Sequence, residues 1–233
     1  MKLFENADVL ALDKPAGVSM ATSSAPGRSE AEVLGRLLAA VGERPDHDLR
    51  LVHRLDVGTT GVVLLAKTDT GHRALSRAFQ AGGARKTYRA LVWGHPEPVE
   101  GLYDDPLGRD LEDGRRMKPR QEGKRARTRY RTLERFSAIA DLALSPETGR
   151  THQLRVHLAA HGHPIVGDDL YGSGRRWESL SEPGLRRALA QLTRPQLHAL
   201  RIEVPAMGLD VSSPLPADYL RSLEALRAAG SGA

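Results

Sequence analysis

The chain contains no cysteine among its 233 residues. That excludes a disulfide framework, a thiol nucleophile, a cysteine-based zinc site and an iron–sulfur cluster. Aromatic residues are scarce at 4%, which argues against the broad base-stacking platforms of single-strand-binding proteins. No stretch approaches the ~18–20 uninterrupted apolar residues of a membrane span. The opening residues Met1 to Asn6 meet an acid at Glu5 and lack the apolar core of a signal peptide. A cytoplasmic protein with no membrane partner is the expectation. A chain of this length buries roughly 70% of its unfolded surface and folds without a staple.

The net charge is only +5, but it is unevenly placed. Between Arg115 and Arg135 stand ten basic residues against Glu122 and Glu134, a local +8, while the remainder is −3. A cationic strip on an otherwise acidic chain is the footprint expected for a polyanion, because each phosphate neutralised releases counterions. A solvated charged hairpin would carry the same pattern.

Hydrophobic patterning predicts short strands over 7–12, 51–56 and 62–66, another at 86–93, a pair at 126–135 and 137–144, and one at 197–204. Helices are predicted over 33–41, 69–80, 151–161, near 185–192 and over 216–228. Ser29 followed by Glu32 is a capping-box signature for the first. Residues 101–123 read as a loop-rich insert. Strands in runs with interspersed helices favour an α+β fold with a mixed, mainly antiparallel sheet. Without a linker of boundary composition, residues 1–233 are expected to form one domain, with room for two lobes.

Several stock motifs fail. Gly82 to Thr87 has the wrong glycine spacing for a phosphate loop, and neither GxGxxG after a strand nor GxSxG occurs. His152, His157, His161 and His163 are clustered, but Leu158 occupies the position a metalloprotease helix gives to glutamate. No metal is expected there, and packing or hydrogen-bonding roles are preferred. The segment His53-Arg54-Leu55-Asp56-Val57-Gly58-Thr59-Thr60-Gly61 places an acid at the end of a predicted buried strand. Its desolvation must be offset by hydrogen bonds or a cation. An Asp capping its own turn would explain it structurally; a catalytic carboxylate would explain it chemically. The run from Thr148 to His157 alternates cations and amide or imidazole donors with apolar residues, so Arg150 or Arg155 could supply the cation.

These segments together resemble the RluA family of pseudouridine synthases. His53 to Asp56 with Thr59-Thr60-Gly61 resembles the HRLDxxTSG signature, with Thr60 where serine is usual. Thr148 to His157 resembles TGRxHQLRxH, and His163 to Asp168 resembles HPIxGD. Lys14-Pro15-Ala16-Gly17 matches KPxG, Lys86-Thr87-Tyr88 matches KxY, and Gly123-Lys124 with Thr128 and Tyr130 resembles GKxAxTxY. The motifs occur in family order over roughly residues 5–220. The residues around Val204-Pro205 lack the histidine often found before that proline, and the S4-type RNA-binding domain of many relatives is not expected in this chain.

The resemblance implies isomerisation of uridine in folded RNA to pseudouridine, with no cofactor and no metal. Asp56 would be the catalytic carboxylate, acting as a nucleophile at carbon or as a base at the sugar. Arg155 matches the arginine that pairs with it, with Arg150 the runner-up or a phosphate or loop contact. Tyr88 would stack on the target base and take part in proton movement, and Leu154 would pack under that base. Arg54 matches the arginine that fills the space left by the everted nucleotide. Thr60, Lys86, Lys124, Arg150 and His152 are the remaining expected substrate contacts. The expected partner is a large-subunit ribosomal RNA or a tRNA stem-loop, and the expected state is a monomer. A non-catalytic RNA-binding protein on the same fold would not need Asp56, Tyr88 and Arg155 together. A metal-dependent hydrolase built on the histidines would be inhibited by chelators.

Overall fold

The structure is a computed structural model of the chain and describes residues 1–44, 48–172 and 174–230. The chain folds as two compact units, the first comprising 1–86 with 199–214 and the second 87–198 with 215–233.

The first unit opens with β1 (Lys2–Glu5) and β2 (Val9–Lys14), which pair antiparallel. Helix α1 (Glu30–Val41) begins at the predicted capping box: Ser29 accepts from the Glu32 N–H while Glu32 reaches back to Ser29. It ends at Gly42 in the left-handed region, and Val33, Leu34, Leu37 and Leu38 form its buried face. The chain continues through β3 (Arg50–Leu51), β4 (Thr60–Ala66) and α2 (Asp69–Gln80). Strand β4 pairs antiparallel with β2, and all seven of its residues are buried. That is why Val62 to Ala66 reads as a continuous apolar run rather than an alternating one. Val62 and Leu64 share a core with Val9, Ala11 and the α2 residues Leu75 and Ala78.

The strand predicted over 51–56 stops at Leu51. The backbone groups beyond it go elsewhere: the Val57 carbonyl accepts from the Gly17 N–H at 2.8 Å, and Thr59 N–H donates to the Asp56 carbonyl at 3.1 Å. Asp56 therefore sits in an irregular turn, not at a strand end.

Strand β5 (Arg85–Trp93) leads into the second unit. The insert predicted as loop carries β6 (Glu100–Tyr103) and a small hairpin, β7 (Leu107–Arg109) with β8 (Met117–Pro119). Strands this short leave too few alternations to be recognised from sequence. The predicted hairpin is present as β9 (Thr128–Arg135) and β10 (Ile139–Pro146), and the strand order is β5-β10-β9-β6. These pairings are antiparallel. Helix α3 (Gln153–Ala160) lies on one face, with Leu154 and Leu158 packed among Ala90, Val92, Leu142 and Leu144. Helix α4 (Pro183–Ala190) starts on a proline, whose missing N–H has no intrahelical partner at that position. It shares a second core with Leu91, Trp93 and Ile139. Strand β11 (Leu197–Val204) returns to the first unit, where β12 (Leu209–Ser212) pairs with it. Helix α5 (Ala217–Gly230) completes the second core through Tyr219, Leu223 and Leu226. Buried Asp141 is satisfied by the Arg89 guanidinium and by the Tyr219 hydroxyl at 2.8 Å. The fold is α+β with a mainly antiparallel sheet, and no described helix is long and apolar enough to cross a membrane.

Candidate active site

In the first unit the turn bearing Asp56 is built around a buried cation. Lys14 is wholly buried, and its ammonium donates to the carbonyls of Pro15 at 3.0 Å, Val57 at 3.3 Å and Thr59 at 2.9 Å. An ammonium removed from water requires such acceptors, and two of them lie within three residues after Asp56 in the chain. Gly61 closes the same segment. A Cβ there would lie 2.2 Å from the Ala199 carbonyl oxygen, and φ is +112°. Only glycine permits both that approach and that backbone conformation. Thr59 and Thr60 are buried, Asp56 is half-buried, and Arg54 is exposed.

His53 supports the turn from the other side. Its Nε2 accepts from the Leu64 N–H at 2.8 Å, and its ring stacks on Phe79 at 4.6 Å. Burial lowers its pKa to about 3, with the positive charge of Lys86 acting in the same direction. The ring is neutral at pH 7 with its proton on Nδ1, because Nε2 is the acceptor. Burial also lowers the pKa of half-buried Lys86.

In the second unit Tyr88 lies on β5 opposite Leu144 and packs against the core that contains Leu154. The Tyr88 and Leu154 expected around the target base thus share one apolar surface. Helix α3 starts abruptly. His152 has φ of +55°, unusual for a residue with a side chain, and no side chain caps the helix; Gln153 instead ties down the turn that precedes it. Gln153 Oε1 accepts from the Arg150 N–H and the Thr148 hydroxyl, while its Nε2 donates to Arg127 O and Thr128 Oγ1. This explains why the helix begins two residues later than predicted.

Arg155 follows on α3, nearly buried. Its Nε and Nη2 meet the Asp168 carboxylate at 2.7 and 2.8 Å in a planar, bidentate arrangement. Its guanidinium carbon lies 5.0 Å from the centre of the Tyr171 ring. Arg150 is exposed, with Nε on the Arg125 carbonyl at 3.0 Å, and Lys124 is exposed beside Arg125 in sequence. Both His157 nitrogens are engaged, with Thr128 Oγ1 at 3.0 Å and the Asp105 carbonyl at 3.1 Å. His161 meets Asp105 Oδ2 at 2.7 Å.

The cationic strip is less bare than its composition. Arg115 pairs with Asp113, Lys118 with Asp110, Arg127 with Asp104 and Glu147, Arg129 with Glu147, and Arg135 with Glu97. These acids lie outside the 115–135 window. Arg120 is 3.8 Å from Glu122 inside it. Among the described residues, Lys124, Arg125 and Arg131 are exposed and have no carboxylate within ion-pair distance. The solvated-hairpin reading therefore describes part of the strip, and open positive charge is confined to a few positions.

Sequence reasoning does not single out Lys14, Asp168 or Tyr171 as site residues. Lys14 and Asp168 stand inside quoted motifs, so the available signal is an ionisable residue among apolar neighbours. Tyr171 carries no such signal.

A mainly antiparallel α+β chain with a carboxylate-bearing turn and a buried arginine on a helix start defines a class, and comparison with known proteins specifies it. Residues 8–160 match the family described as RNA pseudouridylate synthase. The dual-specificity RNA pseudouridine synthase RluA of Salmonella typhi is 39% identical, over 93% of each chain. The ribosomal large subunit pseudouridine synthase D of Nitrosomonas europaea is 39% identical over 97% of this chain and 64% of its own length. Among solved structures, human RNA pseudouridylate synthase domain containing 4 superposes with a TM-score of 0.76 at 28% identity, covering 97% of this chain and 92% of that one. The chain belongs to the RNA pseudouridylate synthase family, whose members are isomerases acting on RNA.

Proposed function

We propose that this chain isomerises uridine in large-subunit ribosomal RNA, with Asp56 as the reacting carboxylate and Arg155 as the catalytic cation. The carrying observation is the turn itself: a buried ammonium fixes the backbone next to Asp56, an expensive arrangement for a carboxyl with no task. Arg155 is a five-donor side chain, and two of its N–H bonds meet Asp168. That pairing fixes the plane of the guanidinium and hence the directions in which it donates.

In the reaction the N1–C1′ bond of the nucleotide breaks, the uracil turns, and a C5–C1′ bond forms. The C5 hydrogen leaves as a proton and N1 gains one, so no oxidant, reductant or co-substrate is consumed. Asp56 acts at the sugar as nucleophile or base. Tyr88 offers its ring to the base and its hydroxyl to the C5 proton. Leu154 supports the base from below. Exposed Arg54, two residues before Asp56, occupies the gap left in the RNA stack. Thr60, Lys86 and His152 support the site. Lys124 and Arg150 meet the phosphate backbone, contributing affinity with little sequence preference.

The ribosomal assignment is supported by the relative named for the large subunit. A tRNA stem-loop is the second reading, favoured by the relative named as dual-specificity. The chain works as a monomer in the cytoplasm, which suits an RNA substrate and a cysteine-free composition. Mapping pseudouridine in total RNA with and without the gene tests the target: one lost signal in large-subunit RNA is expected, and a loss confined to tRNA overturns the first reading. Asp56→Asn should lower turnover by roughly 10⁴-fold or more while RNA binding persists. Wild-type turnover in that variant removes Asp56 from the chemistry.

A further inference from the structure

We propose that Asp168 and Tyr171 are positioning residues for Arg155, holding its guanidinium in the one orientation that its catalytic role requires. This rests on the reading of Arg155 given above.

Asp168 is wholly buried and lies thirteen residues beyond Arg155. A buried carboxylate needs its charge and its lone pairs satisfied. Oδ2 accepts from Arg155 Nε, and Oδ1 accepts from Arg155 Nη2 and from the backbone N–H groups of Leu170 at 3.1 Å and Tyr171 at 3.2 Å. The carboxylate is thus tied to its own turn on one side and to the guanidinium on the other. Fork-to-fork pairing fixes the plane of the guanidinium as well as its distance.

Tyr171 fixes its face. The ring is buried, and the Arg155 guanidinium carbon stands 5.0 Å from its centre, within range of a cation–π contact. The Arg116 guanidinium carbon is 5.5 Å from the same ring. The Tyr171 hydroxyl accepts from the Met117 N–H at 2.9 Å and hydrogen-bonds His152 Nδ1 at 2.8 Å. His152 is the residue with the left-handed backbone at the start of α3, three positions before Arg155. Such a conformation persists only where the surroundings over-determine it. Tyr171 is one of those surroundings, so one side chain braces both the helix start and the arginine it carries.

A misplacement of about 1 Å at a reacting group can cost on the order of 100-fold in rate. Turnover is measured as tritium release from RNA of a strain lacking the gene, labelled with 5-tritiated uridine. Asp168→Asn is isosteric but turns an N–H donor toward Arg155. Asp168→Asn and Tyr171→Leu should each lower kcat by about 10- to 100-fold with KM within about twofold. Tyr171→Phe keeps the ring and should lose only about threefold. Because these residues act through Arg155, adding Asp168→Asn to Arg155→Gln should cause no further loss. A purely structural role predicts a lower melting temperature with unchanged kcat per folded molecule, or an additive loss in the double variant; either overturns the inference. If Asp168→Asn does not fold, Tyr171→Leu against Tyr171→Phe decides by the same kcat and KM split. If Arg155→Gln alone retains wild-type turnover, the reading of Arg155 is what fails. If Arg155→Gln is inactive while Asp168→Asn and Tyr171→Leu turn over normally, only the inference fails.

Discussion

Lys14 in the first unit and Asp168 in the second are both ionic and both wholly buried, yet they hold their neighbours in opposite ways. The Lys14 ammonium gathers backbone carbonyls from two loops and so fixes a stretch of main chain. The Asp168 carboxylate gathers one guanidinium and the N–H groups of its own turn, so it fixes a side chain. Loss of Lys14 should loosen a loop. Loss of the Asp168 charge should release an arginine while leaving the backbone nearly in place.

Glycines of the two units differ as sharply. Gly61 is pressed against the Ala199 carbonyl, whereas Gly162, also at positive φ, has open space where a Cβ would sit. Gly61→Ala should therefore cost on the order of 4 kcal/mol or prevent folding, and Gly162→Ala about 1–2 kcal/mol from backbone strain alone. Thermal unfolding of the two variants checks this, and equal losses would mean that the Ala199 carbonyl moves aside freely. Lys14→Met should come next, at about 2–3 kcal/mol, because the Pro15 and Thr59 carbonyls lose a donor. Its kcat should fall as well. A stable Lys14→Met with wild-type kcat would break the contrast with Asp168.

Smaller effects sharpen the contrast between paired and open charge. Neutralising Lys124 and Arg125 together should weaken RNA binding about tenfold and reduce the salt slope by about 2. The same change at Arg115 and Arg129, which already face Asp113 and Glu147, should do less. Equal slopes would show that local ion pairs do not govern phosphate contact. The smallest expected effect is a pH dependence from His53. Its pKa is about 3 in the fold against 6.5 in the unfolded chain. The unfolded chain therefore takes up the proton first as pH falls, and the stability from the neutral ring is complete above 6.5 and lost toward 3. Between pH 7 and 5 the loss should be about 1 kcal/mol, moderated by the ring's partial exposure. His53→Gln, which can still accept from Leu64, should lack that component in urea unfolding.

Regular elements are legible where burial repeats along the chain. The helix over 69–80 and the strand over 197–204 have the predicted bounds, because the helix presents one apolar face to a core and the strand is a mostly buried run. The segment 51–56 departs from its predicted strand because the chain turns at Asp56, whose carbonyl accepts from Thr59 N–H, and the adjoining Val57 carbonyl is held by the Lys14-to-Gly17 loop, about forty residues earlier. The charge of the 115–135 strip is less open than its composition for a related reason, since Glu97, Asp104 and Glu147 meet it through pairing that no local window contains.

By itself the sequence determined the α+β class and the order of the chemistry-bearing segments, because hydrophobic period and short polar motifs are local properties. Tertiary structure alone decided that Lys14 is buried beneath the Asp56 turn, that Gly61 has no room for a side chain, and that Arg155 is held by Asp168 and Tyr171. Those facts depend on which distant atoms share a low-dielectric interior, where an ionic group must find a partner or be excluded.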